Sequence, residues 1–336
     1  ASPAEALGLS YAELDGVRRL LVVGCGTSLH AGLAARPALE AWARLPVECE
    51  TASELRYREP LMGASTLMVA VSQSGETADT LHAVREARRH GARVVAVTNV
   101  AGSAMAREAD AVVLTHAGPE IGVAATKTYM AQVLALQHLA AGLAEARGTM
   151  GPGDVAELRH AMGAVPGAIR LALARAGDVF DLARRHADAH DVFFLGRGAG
   201  HAVAMEGALK LKEIAYVRAE AYAAGEMKHG PIALVEPGVT VVAVTGTGVL
   251  RTKMLSNMAE MRARAATVVA VAHDGDPDAA DAADEVLWVP PPPGGVDLLS
   301  PALEVVPLQL FAYAVAKARG LDVDKPRNRA KTVTVE

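Results

Sequence analysis

Ser72-Gln73-Ser74-Gly75-Glu76-Thr77 is the stretch on which the fold turns. Leu67-Met68-Val69-Ala70-Val71 before it is a continuous apolar run, the pattern of a strand buried on both faces. Ala78, Leu81, Val84 and Ala87 after it fall on one helical stripe. A strand therefore runs into a turn of hydroxyls with one glycine, and the turn opens a helix. The first backbone N–H groups of a helix lack partners, and the helix dipole makes that end electropositive. An ordinary N-cap needs one hydroxyl; Ser72, Ser74 and Thr77 supply three, with Gln73 beside them. The surplus points to a bound phosphate. The turn has neither the Gly-Lys-Ser/Thr ending of a nucleotide P-loop nor G-x-G-x-x-G, so a small phosphorylated molecule fits better than ATP or NAD.

Outward from this turn the pattern is α/β. Leu20–Val23 reads as a strand ending in Gly24-Cys25-Gly26-Thr27-Ser28, followed by a helix from His30 to about Arg44. Val47–Thr51, Val94–Val97 and Ala111–Thr115 read as further strands. The order returns about 172–174 residues later: Phe193-Phe194-Leu195-Gly196-Arg197-Gly198, then Thr240–Gly248, Val268–Val271 and Ala283–Val286. Alternating strands and helices, twice over, predict two doubly wound, flavodoxin-like halves with mainly parallel sheets and helices on both faces. A helical stretch from about Ile121 to Ala189 joins them, with its break at Gly148–Gly153. The expected division is 1–147, 148–320, and a tail 321–336. The second turn, Thr245-Gly246-Thr247-Gly248-Val249-Leu250, has fewer hydroxyls and an apolar close, which predicts one phosphate site per chain. Ligands of open α/β sheets bind beyond the strands' carboxyl ends, which sets Gly26-Thr27-Ser28 beside Ser72–Thr77.

Composition excludes several functions. The 336 residues carry a net charge of −5 with no basic block, and only 4% are aromatic, so nucleic acid is not expected. No apolar run reaches the roughly 18 residues of a membrane span, and no signal peptide opens the chain. Cys25 and Cys49 form no ligand pattern and no disulfide framework, which suits a reducing cytoplasm. The start at Ala1, without Met, suggests a processed or excised chain. The motifs require no metal and no cofactor.

Three segments could carry chemistry. Ala204–Tyr216 reads as a helix in which Glu206, Lys210 and Glu213, at i, i+4 and i+7, share a face while Lys212 points elsewhere. A solvated Glu–Lys face is the plain reading, but Met205, Ala208, Leu209 and Ile214 leave little exposed surface. A half-buried carboxylate beside a lysine could remove a C–H proton. Glu220–Pro231 reads as a loop that puts His229 between Lys228 and a Gly-Pro turn. The tail Asp324–Lys331 is polar and irregular, and Thr332–Val335 is strand-like. Glu120–Lys127 is a glycine-bearing loop entering a helix.

These segments together resemble the sugar-isomerase (SIS) domains. Within that family they are most similar to the isomerase domains of glutamine:fructose-6-phosphate aminotransferases, the glucosamine-6-phosphate synthases. The turn Ser72–Thr77 marks only the broad family. More specific are Glu220-Ala221-Tyr222-Ala223-Ala224-Gly225-Glu226-Met227-Lys228-His229-Gly230-Pro231 and the ending Pro326-Arg327-Asn328-x-Ala330-Lys331-x-Val333-Thr334-Val335-Glu336.

The resemblance implies that Ser72, Gln73, Ser74 and Thr77 hold a sugar phosphate, with Cys25, Gly26, Thr27 and Ser28 nearby. It implies that Val123 meets the sugar hydroxyls through its carbonyl. Ala125 stands where the family usually has serine, which puts one hydroxyl contact in question. His229 would open the fructose ring from the partner subunit of a homodimer with shared active sites. Lys331 would form a Schiff base at C2, and Glu213 would move the proton between C1 and C2, supported by Lys210 and Glu206. The expected conversion is fructose 6-phosphate plus ammonia to glucosamine 6-phosphate, the ammonia coming in the family from an N-terminal glutaminase domain that nothing here matches. A glucosamine-6-phosphate deaminase and a non-catalytic phosphosugar sensor are the open alternatives.

Overall fold

The computed structural model describes residues 11–328, 330 and 331. The first half runs β1 (Arg19–Gly24), α1 (Thr27–Ala43), β2 (Val47–Thr51), β3 (Thr66–Ser72), α2 (Ala78–Arg89), β4 (Arg93–Thr98), α3 (Ala104–Glu108), β5 (Ala111–Leu114) and α4 (Lys127–Ala146). Helix α5 (Pro152–Leu173) follows. The second half is α6 (Ala176–Arg185), β6 (Asp191–Gly196), α7 (Ala199–Ala215), β7 (Arg218–Ala223), β8 (Thr240–Val244), α8 (Gly248–Arg262), β9 (Thr267–His273), α9 (Pro277–Ala282), β10 (Glu285–Val289) and α10 (Pro301–Ala318).

Each half holds one five-stranded sheet. The orders are β2-β1-β3-β4-β5 and β7-β6-β8-β9-β10, the same order twice, with every strand pair parallel. It is the flavodoxin-like order. Central strands are buried along almost their whole length, with apolar middles, because helices cover both faces. On one face Leu21, Val23, Met68, Ala70, Val94 and Ala96 pack under α2 residues Leu81, Val84 and Ala87. In the second half Phe193, Leu195, Val241, Ala243, Val268 and Ala270 pack under α8 residues Met254, Met258 and Met261. On the opposite faces α1 packs on α4, and α7 on α10.

The duplication reaches single hydrogen bonds. The Val94 amide donates to the Asp110 carboxylate at 2.8 Å, and the Val268 amide to Asp284 at 2.8 Å. Gly26 and Gly198 cap α1 and α7 with nearly the same dihedrals, φ 51 and φ 53. Arg44 and Tyr216 end those helices in the left-handed region, φ 53 and φ 55.

The contacts divide the chain into two compact units. One comprises the residues up to Ile121, Ala125–His160 and the stretch from Ala330; the other comprises Gly122–Ala124 and the chain from Ala161 to the tail. The division falls inside α5, because that helix is continuous across it.

One expectation needs correction. Glu220–Ala223 is not loop but the last four residues of β7, an edge strand paired with β6. Its Arg-Ala-Glu-Ala-Tyr-Ala sequence has no β-branched residue and only Tyr222 favours a strand, so the strand signal is weak; pairing supplies what propensity does not. Asp297–Ala318 is a helical segment long and apolar enough to cross a membrane by length and composition, but Glu304 and Lys317 interrupt its apolar run and 78% of its 18-residue apolar window is buried in the protein. It contains α10, the helix packed against α7 and α6, and its apolar surface faces those neighbours. The strand-like Thr332–Val335 lies outside the described residues.

Candidate active site

The turn after β3 is built by its own hydroxyls. Ser72, at the buried end of the strand, accepts the Gly75 amide at 3.1 Å and lies 3.0 Å from the Thr77 hydroxyl. Ser74 accepts the Glu76 amide at 3.2 Å. Gly75 has φ +66, and a Cβ there would press into Ser103; glycine is required by both conformation and space. The Glu76 carboxylate accepts the Ala104 amide at 2.8 Å, so it caps α3 alongside Ser103. Thr77 is the N-cap residue of α2 but makes no side-chain capping bond. The hydroxyls therefore shape the turn and do not cap the helix, and a hydroxyl that accepts an amide still has its own proton to give.

This turn opens on a cavity of about 660 Å³, within the size range of small-ligand sites. Its walls are Gln73, Ser74, Asn99, Val100, His116, Gly118, Pro119, Glu120 and Lys331. These residues follow the carboxyl ends of β3, β4 and β5, except Lys331, which the tail delivers. Sequence spacing could not place Lys331; the structure puts it on the same wall as Gln73 and Ser74.

Asn99 holds one side of the cavity together, and the sequence analysis missed it. Its amide N–H donates to the Gln73 carbonyl at 3.1 Å. Its side chain accepts from the Thr115 hydroxyl and the Ala117 amide, and donates to the Gly118 carbonyl. An asparagine directly after a buried strand was the available signal. Glu120 organises the other side: it accepts the amides and hydroxyls of both Thr126 and Thr128 at the start of α4. Burial pushes the Glu120 carboxyl up, but these four donors outweigh it and hold it below the usual range.

The turn after β1 lies next to that after β3 because β1 and β3 are paired and parallel. Cys25 is 4.0 Å from the Thr80 hydroxyl on α2, and burial raises its thiol above the ordinary range, so it remains protonated. Gly26 starts α1 with φ 51, and Thr27 is the first residue of that helix. Ser28 is buried and accepts from the Gln132 side chain of α4 at 3.1 Å. The cavity walls do not include these four residues. Val123 donates its amide to the Asp324 carbonyl at 3.0 Å, and Ala125 is half-buried.

In the second unit α7 buries its charged face. Lys210 Nζ is 3.3 Å from Glu206 and 2.5 Å from Glu213. Glu206 is 0%, Lys210 1% and Glu213 7% exposed, while Lys212 is exposed. Burial pulls the Lys210 ammonium down, yet the two carboxylates overcome it and raise it above the usual lysine range. The solvated-face reading fails here: these charges are inside. His229 ends a short 3-10 helix (Ala224–His229), exposed, while Ala224 and Met227 anchor the segment in the core. Lys228 pairs with Glu260 at 2.7 Å.

The SIS domain model matches residues 13–142 and 187–318, one match per half. Glutamine--fructose-6-phosphate aminotransferase [isomerizing] of Mycobacterium tuberculosis is 51% identical over 332 residues, covering 98% of this chain and 53% of the relative. The chain thus spans about half the length of the curated relatives it matches. Among solved structures, the C-terminal domain of glucosamine-fructose-6-phosphate aminotransferase from Francisella tularensis superposes with TM-score 0.89 at 35% identity, covering 94% of this chain and 88% of that one. Glucosamine-6-phosphate deaminase of Thermotoga maritima shares the fold, with TM-score 0.72, 24% identity and coverage of 98% and 97%.

Proposed function

The chain belongs to the SIS domain family, as a tandem pair of the kind found in the C-terminal domain of the aminotransferases, and from that premise we propose that it converts fructose 6-phosphate and ammonia to glucosamine 6-phosphate. The observation that carries the proposal is Lys331 on the cavity wall that also holds Gln73 and Ser74. A cluster of hydroxyls and helix-terminal amides suits a phosphate, and an amine on the same wall suits the ketone of the phosphorylated sugar. Lys331 would add to C2 and form a Schiff base, which acidifies the C1 hydrogens. Glu213 would carry the proton between C1 and C2, with Lys210 and Glu206 keeping its charge balanced inside the protein. His229 of the partner subunit would open the ring, so the working form would be a homodimer, which we place in the cytoplasm. Val123 and the backbone at Ala125 would face the sugar hydroxyls. In the full-length protein an N-terminal glutaminase domain would supply the ammonia.

Identity of 51% to aminotransferases, against 24% to a deaminase, supports the synthetic direction. The test supplies fructose 6-phosphate with ammonium chloride and follows hexose phosphates by NMR. Glucosamine 6-phosphate should accumulate with ammonium and glucose 6-phosphate without it, and Lys331→Ala should stop amination. Binding of the sugar with no conversion under either condition overturns catalysis in favour of a sensor.

A further inference from the structure

His116 is held on the cavity wall in a backbone conformation that non-glycine residues rarely take, φ +49. The residues around it are fixed by one side chain. Asn99 Oδ1 accepts from the Thr115 hydroxyl at 3.0 Å and the Ala117 amide at 2.8 Å, and Asn99 Nδ2 donates to the Gly118 carbonyl at 2.8 Å. Left-handed strain survives only where the surroundings over-determine it, and it gathers at functional sites. Here it sets an imidazole on a wall that also carries Lys331, Gln73, Ser74 and Glu120.

Three ionisable side chains share that wall: His116, Glu120 and Lys331. The Glu120 oxygens are committed to four donors from Thr126 and Thr128, which leaves it a charged acceptor and not an acid. In the proposed function Lys331 is the nucleophile. Imidazole is the side chain suited to passing a proton both ways near neutrality.

We propose that His116 is the acid–base group that turns the Lys331 adduct into an imine; this rests on the Schiff-base reading above. Neutral Lys331 Nζ attacks C2 of the open-chain ketose phosphate. The N–C2 bond forms, the C2=O π pair moves to oxygen, and a proton passes from nitrogen to that oxygen to give the carbinolamine. Imidazolium His116 then protonates the C2 hydroxyl. The C2–O bond breaks, water leaves, and the nitrogen lone pair forms the protonated imine. One positive charge moves from His116 to the imine nitrogen, so the step balances without another reactant.

The test uses two substitutions compatible with a left-handed backbone, His116→Gly and His116→Asn. The chain is mixed with fructose 6-phosphate and quenched with borohydride at increasing times, and the adduct on the Lys331 peptide is counted by mass spectrometry. Both variants should form it roughly a hundredfold more slowly than wild type. Free imidazole should restore much of the rate to the glycine variant, and pyrazole, a far weaker base, should not. Wild-type rates in both variants, or slowing that imidazole leaves untouched, overturns the role of His116 alone. A wild-type chain that traps no adduct on Lys331 refutes the Schiff-base reading and this proposal with it.

Discussion

Replacing Lys210 by Met would leave Glu206 and Glu213 buried together without their cation. The substitution keeps length and apolar stem, so packing changes little. Lys210 lies 3.3 Å from one carboxylate and 2.5 Å from the other, and none of the three is more than 7% exposed. Removing one member of a buried ionic group costs about 3–5 kcal/mol. For a domain of this size each kcal/mol lowers the melting temperature by about 2–4 °C, so a fall of roughly 6–20 °C is expected. The pH dependence has a definite sign. The raised Lys210 pKa contributes stability to wild type that is fully present below the ordinary lysine value and lost only as pH rises through its folded value. Neutral pH therefore sees the whole effect. In the variant one carboxylate should take up a proton, so its folded pKa rises; the stability gap to wild type should narrow as pH falls from 8 to 5. Thermal unfolding by circular dichroism across that range measures both. A fall below about 3 °C at pH 8, or a gap independent of pH, would show that the charges are not coupled as the geometry requires.

Two further outcomes test the proposed binding and assembly. Ser74→Ala and Thr77→Ala should each weaken fructose 6-phosphate binding by about 1.5–3 kcal/mol, since each removes a donor to a charged group; Thr247→Ala in the second turn should leave it unchanged, and equal losses from both turns in calorimetry would refute a single phosphate site. His229→Ala and Glu213→Ala should each be nearly inactive, yet a one-to-one mixture unfolded and reannealed should recover roughly a quarter of wild-type activity, since half the dimers are mixed and each has one sound site. Mixed dimers that form and stay inactive would place His229 in its own chain's site.

The duplication was legible because both sheets use the same apolar strands and the same capping glycines, Gly26 and Gly198. The Ser72–Thr77 turn was legible because three hydroxyls exceed what capping needs, and the structure shows Thr77 making no capping bond. Helical spacing put Glu206, Lys210 and Glu213 on one face, but their burial comes from tertiary packing, which spacing does not record. Strand β7 gave little signal because alanine and charged residues make up all of it but Tyr222. Asn99 was missed for a related reason: its hydrogen bonds join the ends of β4 and β5 on either side of His116, which no local pattern records. The place of Lys331 could not be read from a polar tail at all.

The central claim is that this chain's own residues move a proton between C1 and C2 of a phosphorylated ketose, with Glu213 as the base. The direct measurement is the rate of fructose 6-phosphate conversion to glucose 6-phosphate without ammonia, for wild type and Glu213→Gln, beside fructose 6-phosphate affinity by calorimetry. The account predicts turnover by wild type, and a loss of roughly a hundred- to ten-thousandfold in the variant with affinity nearly unchanged. Turnover retained by Glu213→Gln would contradict it.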